Sequence, residues 1–147
     1  MPDGRLATDL RVEPLLDRNA LIARIGQLLV ADPAVSDGLW HGYALIVRYG
    51  DGAIARRLSG FRYDSAGEHQ AATPVDDALG PAFDDLREAT RVPGKAPWGA
   101  CVLRLWRDSG RMTVEFEYDT PEQWDVTPAT LSHVAQQARP EDADRTA

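Results

Sequence analysis

The sequence predicts an α+β fold in which helices pack on one face of an antiparallel sheet of four to five strands. Apolar residues recur at every second position in some segments and at every third or fourth position in others. Turn residues join consecutive strand segments through connections too short for a parallel crossover. The expected order is helix, strand, strand, a weak third strand, helix, strand, strand and helix, in a single domain of residues 1–147.

The clearest strand pattern is a hairpin within Pro97–Asp125. In its second strand, apolar and polar residues alternate, so one face is expected on the core and the other in water. The expected inward residues are Met112, Val114, Phe116 and Tyr118, with Cys101, Leu103 and Leu105 of the first strand. The expected outward residues are Thr113, Glu115, Glu117 and Asp119, with Val102, Arg104 and Trp106. A turn centred on Ser109-Gly110 pairs Arg104 with Glu115 and keeps both faces intact.

Three segments carry helical periodicity. The first runs from Pro14 to Ala31, with Asp17 expected as its N-cap. The second is expected to begin with Thr73 as N-cap and Pro74 in its first turn, and the third follows Thr127-Pro128. The remaining strands are expected at 39–49, 53–63 and, weakly, 68–72, whereas residues 1–13 and 140–147 are expected to be loose termini.

The composition is typical of a soluble globular protein, with a net charge of −7 over 147 residues. Such a charge disfavours general nucleic-acid binding, which needs a basic surface. The single cysteine, Cys101, rules out an internal disulfide and is expected to be a small buried hydrophobe. No signal peptide or membrane-spanning stretch is evident, so a cytoplasmic location is expected.

Catalytic signatures are missing from the sequence, which contains no GxSxG, P-loop, HExxH or CxxC pattern. His41, His69 and His133 fall in different elements, so neither a metal site nor a cofactor is expected. Glu115 and Glu117 share a strand face at a separation of roughly 6 to 7 Å, which suits an acid/base pair. A solvated strand face is the more ordinary interpretation of the same pattern.

The segment Pro97–Asp119 combines Trp98 after a proline, an alternating strand, Asp108-Ser109-Gly110 and a second strand ending in Tyr118-Asp119. In these features it resembles the YezG-like family of bacterial antitoxin/immunity proteins. The resemblance implies a non-catalytic protein that binds the toxic C-terminal domain, often a nuclease, of a polymorphic secreted toxin. Such a protein keeps the toxin inactive in the producing cell.

The charge distribution suggests where a toxin would bind. The segment 111–147 holds eight acidic and three basic residues, whereas 39–63 holds four basic and one acidic. An acidic row could occupy a site built for phosphates, and opposite charge would speed association. The expected toxin-facing residues are Glu115, Glu117 and Asp119, helped by Trp106 and by Asp84, Asp85 and Glu88. Charge reversal at Glu115 and Glu117 is expected to weaken toxin binding without lowering thermal stability.

Two points stay open at this stage. Trp106 either forms part of an interface or is covered by a helix or loop, with even support for each. The protein could also be a general protein-interaction or secretion-accessory domain, or a small hydrolase that uses Glu115 with Glu117 or Asp119. A toxin gene beside this gene would favour the immunity function, and a concave pocket holding a carboxylate of raised pKa would favour the hydrolase.

Overall fold

A computed structural model describes residues 5–50 and 56–141 of the chain, with side chains from residue 18 onward. Its five strands form one antiparallel sheet in the order β3-β2-β1-β4-β5. The strands are β1 (Gly42–Tyr49), β2 (Arg56–Tyr63), β3 (His69–Ala71), β4 (Ala100–Trp106) and β5 (Met112–Glu117). The α+β class and the five-stranded antiparallel sheet are therefore confirmed, including the short third strand.

Four α-helices and one 3₁₀ helix accompany the sheet in the described part of the chain. They are α1 (Arg5–Ala31), α2 (Pro33–Ser36), α3 (Leu79–Ala89), α4 (Leu131–Ala138) and the 3₁₀ helix Pro121–Trp124. Within this part of the chain, no helix has the length and apolar character needed to cross a membrane. Residues 1–4, 51–55 and 142–147, which include the expected turn between the first two strands and most of the expected C-terminal tail, lie outside the described residues.

The helices lie on both faces of the sheet, which corrects the expectation that they pack on one. On the first face, α1 and α3 bury a core that contains Tyr43, Leu45 and Val47 of β1. On the second face, Trp124 and α4 bury Ala44 and Ile46, the alternate residues of the same strand. The reason is that β1 is apolar on both sides, as expected for a central strand covered by two layers.

The β4–β5 hairpin keeps the predicted faces but not the predicted register. Arg104 lies opposite Thr113, and Leu103 opposite Val114, so β5 is displaced by two residues from the predicted pairing. The connection is the four-residue loop 107–110, in which Gly110 adopts a φ of 72°. Because a two-residue shift returns every side chain to its original face, the hydrophobic pattern cannot detect it.

Two helices begin elsewhere than predicted. Helix α1 begins at Arg5, so residues 5–13 are helical and Asp17 lies inside the helix instead of capping it. These nine residues contain neither glycine nor proline, which favours helix continuation. Helix α3 begins at Leu79 instead of after Thr73, because the preceding segment is held by other contacts: Asp32 Oδ2 accepts the N–H groups of Val75 and Asp76, each at 2.8 Å.

Candidate functional site

The acidic residues expected to face a partner lie on β5 and just after it. β5 forms one edge of the sheet, where β4 is its hydrogen-bonded neighbour. Glu115 lies opposite Val102 and Glu117 opposite Ala100, so both point to the face that α4 covers. Asp119 follows in the next turn. We call the four residues Glu115, Glu117, Asp119 and Glu122 the acidic edge.

Glu115 is bound to an arginine that also holds the last helix. Arg104 Nη1 lies 2.8 Å from Glu115 Oε1, although the two residues are diagonal and not directly opposite. The same guanidinium donates to the carbonyl oxygens of Ala138 at 2.9 Å and Gln137 at 3.2 Å. The Glu115 side chain remains 48% exposed, so it combines a partly neutralised charge with access to solvent.

Glu117 has a structural role that the sequence did not reveal. Its Oε2 accepts the backbone N–H groups of Asp119 and Thr120, both at 3.1 Å, and its Oε1 accepts the Gln123 amide at 2.7 Å. The carboxylate therefore caps the turn that leads from β5 into the 3₁₀ helix. Since charge reversal would remove this cap, the earlier expectation that Glu117 can be reversed without loss of stability is no longer supported.

Asp119 and Glu122 are the least constrained charges of the acidic edge. Both are exposed, and within the described residues neither carboxylate forms an ion pair. Tyr118 beside them is 39% exposed, with the Lys95 ammonium 5.4 Å from its ring centre. These two carboxylates are therefore the best positions at which to change surface charge without disturbing the fold.

Trp106 is not part of this surface. It is 0% exposed, so its expected contribution to an interface is corrected in favour of the covered alternative. The Arg111 guanidinium lies 4.9 Å from its ring centre. A Cβ added to Gly42, which pairs with Trp106, would lie 3.0 Å from Pro140, so the chain after α4 crosses this end of the sheet. Trp106 is buried because the sheet carries a second layer on this face.

The acidic residues of α3 lie on the other side of the sheet from Glu115 and Glu117. Asp84 accepts the Tyr49 O–H at 2.7 Å and pairs with Arg56 at 2.9 Å, so its partly exposed carboxylate already has two partners within the protein. Burial raises the pKa of Tyr49, and the hydrogen bond to Asp84 raises it further. Asp85 and Glu88 are exposed and line a groove of about 650 Å³ between α1 and α3. The seven expected toxin-facing residues therefore do not form one continuous surface.

A cleft of about 310 Å³ lies on the second face, between β1–β2 and the segment that follows the 3₁₀ helix. Its lining includes Arg57, Ser59 and Trp124, and the Arg48–Asp125 ion pair at 2.7 Å forms part of its wall. The sequence signal for this cleft was the excess of arginine between residues 39 and 63. That signal did not indicate that Asp125 would offset part of the charge.

The described residues differ from those of typical metal sites and reactive thiols. Among them, no group of three or more histidine, cysteine, aspartate or glutamate side chains is placed to hold a metal ion. Cys101 is buried on the inner face of β4, and burial raises the pKa of its thiol. A neutral buried thiol is a poor nucleophile.

No protein-family model matches the chain, and no curated protein matches it. The resemblance to the YezG-like family therefore depends on the sequence pattern alone.

Proposed function

We propose that this protein is an immunity protein that binds the toxic C-terminal domain of a cognate secreted toxin and keeps it inactive. The observation that best supports this proposal is the acidic edge, whose four carboxylates lie on the edge strand β5 and in the turn and 3₁₀ helix that follow it. Its natural counterpart is a basic protein surface, such as the nucleic-acid-binding cleft of a nuclease. The proposed role is binding, without catalysis or a cofactor.

Strand β5, which carries Glu115 and Glu117 of the acidic edge, packs against the core through its other face. Phe116 of β5 stacks on the fully buried Trp98, with ring centres 5.1 Å apart. On the same face, Gly26 of α1 lets the helix approach β5 closely, since a Cβ there would lie 3.2 Å from Met112 Sδ. A pre-formed surface loses little conformational entropy on binding, which favours tight association.

The overall charge supports the same kind of partner. A net charge of −7 raises the encounter rate with a basic protein and opposes association with nucleic acid or with a second acidic protein. A general interaction domain would share this property and differ only in its partner. The hydrolase alternative has less support, because Glu115 is paired with Arg104 and Glu117 is engaged by three donors.

The direct test is co-expression with the product of the adjacent gene, followed by growth rescue and affinity measurement. We expect Asp119→Lys combined with Glu122→Lys to weaken binding about tenfold or more, with a stronger effect at low salt. The matched control is Glu68→Lys with Asp77→Lys, which makes the same charge change at exposed residues on the β3 side of the molecule.

The control should change the affinity by less than about threefold, because its lysines lie far from the acidic edge. Equal weakening by both variants would show that only net charge matters and would contradict a binding role for the acidic edge. Failure of the adjacent gene product to bind, together with failure to rescue growth, would contradict the immunity function itself.

A further inference from the structure

The backbone of β5 is hydrogen-bonded on one side. Trp106 donates its N–H to the Arg111 carbonyl at the start of the strand, and Gly99 donates to the Glu117 carbonyl at its end, each at 2.9 Å. Backbone direction alternates along an antiparallel strand, so the odd-numbered residues of β5 face β4. The residues whose N–H and C=O groups face away from β4 are Met112, Val114 and Phe116.

These outward groups have no backbone partner within the described part of the chain, because β5 is the last strand of the sheet. β5 is six residues long, which is enough to pair with a further strand of ordinary length. The open side therefore presents three donors and three acceptors in the spacing that an extended chain matches.

The side chains on the two faces of this open side differ. On the α1 face, Val114 and Phe116 are apolar and only half-buried. On the opposite face, Glu115 is exposed and negatively charged. A strand placed beside β5 would meet apolar side chains at alternate positions on one face and a carboxylate on the other.

We propose that the protein captures its partner by strand addition: a basic, extended segment of the partner pairs with β5 and becomes the sixth strand of the sheet. This inference rests on the proposed function, since it specifies how the acidic edge holds a protein partner. The segment alternates arginine or lysine, placed beside Glu115, with apolar residues, placed beside Val114 and Phe116. Main-chain hydrogen bonds supply affinity and the alternating side chains supply specificity.

A second copy of this chain fits the same edge poorly. Antiparallel pairing of two β5 strands would bring Glu115 and Glu117 of both copies onto one face, within about 5 to 8 Å of each other across the new ladder. Like charges at that distance are destabilising, whereas a basic strand replaces repulsion with attraction. The charge pattern therefore selects a foreign basic strand over self-association.

The first test uses a peptide probe and amide hydrogen exchange measured by NMR on the full chain. The probe is an end-capped octapeptide that alternates arginine and valine, and the control peptide has four arginines followed by four valines. We expect the alternating peptide at saturation to slow exchange at the Val114 and Phe116 amides about tenfold or more. The Thr113 and Glu115 amides, which already face β4, should change less, and the block peptide should not reproduce the pattern.

The second test removes one outward N–H. Val114→Pro deletes a donor that β4 does not use, and proline is tolerated at such edge positions. Val114→Ala shortens the side chain but keeps the donor, so it is the matched control. We expect the proline variant to bind the alternating peptide at least about fivefold more weakly than the alanine variant. If the proline variant fails to fold, exchange in the unmodified protein decides the question.

The outcomes separate this inference from the immunity function. If the adjacent gene product binds while the Val114 and Phe116 amides still exchange freely, strand addition is wrong and the immunity function stands. If the alternating peptide protects both amides while the gene product neither binds nor rescues growth, the edge binds strands but the immunity function is wrong. A stable dimer whose Val114 and Phe116 amides are protected without peptide would overturn strand addition in favour of self-pairing.

Discussion

Asp32 shows how much of this fold depends on a single side chain. It is 2% exposed and directly follows α1. Its Oδ1 accepts the Ala34 N–H at 2.9 Å, which caps α2, and its Oδ2 accepts the Val75 and Asp76 N–H groups at 2.8 Å each. One carboxylate thus joins the end of the first helical segment to the chain that enters α3.

We expect Asp32→Ala to lower the free energy of unfolding by about 3 kcal/mol or more, because three backbone donors lose a charged acceptor in a buried site. Urea unfolding followed by circular dichroism would measure this loss. The control is Asp37→Ala, at an exposed position five residues along, which should cost less than about 0.5 kcal/mol. Similar losses in the two variants would contradict the role assigned to Asp32.

The sequence predicts that the first helix ends at Ala31, next to Asp32, but it does not identify Asp32 as a long-range acceptor. Its partners Val75 and Asp76 lie 43 and 44 residues later, beyond any local pattern. The start of α3 was predicted wrongly for the same reason, because contacts with residues distant in the sequence hold the segment before it. Thr73-Pro74 has the composition of a helix start, yet the Thr73 hydroxyl accepts the Gly60 N–H and the following residues bind Asp32.

Helix α4 covers the second face of the sheet. Val134, Ala135 and Ala138 are buried against that face. The cover is also hydrogen-bonded to the strands, since the Tyr63 O–H donates to the Ala135 carbonyl at 2.6 Å. Arg104 binds the Ala138 carbonyl from the neighbouring strand β4.

We expect Ala135→Arg to displace α4, because a long charged side chain cannot be accommodated at a fully buried position. The variant should unfold at a lower temperature, by at least about 5 °C, and should bind a hydrophobic dye more strongly than the unmodified protein. The control is Gln136→Arg, which introduces the same side chain at the adjacent exposed position. If both variants melt together and neither binds dye, α4 is not the cover described here.

The sequence predicts which face of a strand each side chain occupies, because that depends on alternation. It does not predict the register in which two strands pair. The faces of Leu103 and Val114 followed from a period of two, but their pairing could not be fixed to better than two residues. The sequence did carry one sign of the second layer: Ala44 and Ile46, which alternate with Tyr43, Leu45 and Val47 along β1, are themselves apolar. A strand that is apolar on both faces requires two covers.

The stability of the protein depends on pH through four buried weak acids, which are three tyrosine hydroxyls and one thiol. Burial is the main cause of the raised pKa values of Tyr43, Tyr49, Tyr63 and the Cys101 thiol. In the unfolded chain, a thiol ionises near pH 8.5 and a tyrosine near pH 10. Between those values and the higher pKa values of the folded state, the unfolded chain binds fewer protons, so stability falls as the pH rises.

We therefore expect the free energy of unfolding to decrease steadily above about pH 9, with each fully titrating group contributing up to about 1.4 kcal/mol per pH unit. Urea unfolding at several pH values between about 8 and 10.5 would measure the slope. Tyr63→Phe removes one of the four groups, so its stability should start lower, through loss of the Ala135 hydrogen bond, but fall less steeply. A constant stability across this range would contradict the coupling.

The sequence predicts the negative charge of the candidate site but not which of the acidic residues lie close together. Four of the eight acidic residues in the segment 111–147 form the acidic edge, yet the acidic residues of α3 are separated from Glu115 and Glu117 by the thickness of the sheet. Sequence spacing assigns a residue to a face of its own element only. Which faces meet depends on long-range packing, and this is why Trp106 is buried and Asp84 is paired with Tyr49 and Arg56.

Both faces of the sheet are covered by other elements, and this arrangement affects how the protein folds during synthesis. All five strands leave the ribosome before residues 121–138, which seal the second face. A nascent chain that has completed its ladder would still present Phe61, Val102 and their neighbours to solvent, and an uncovered apolar sheet face is prone to aggregate. Chaperone protection would matter most in the interval between the emergence of β5 and that of α4.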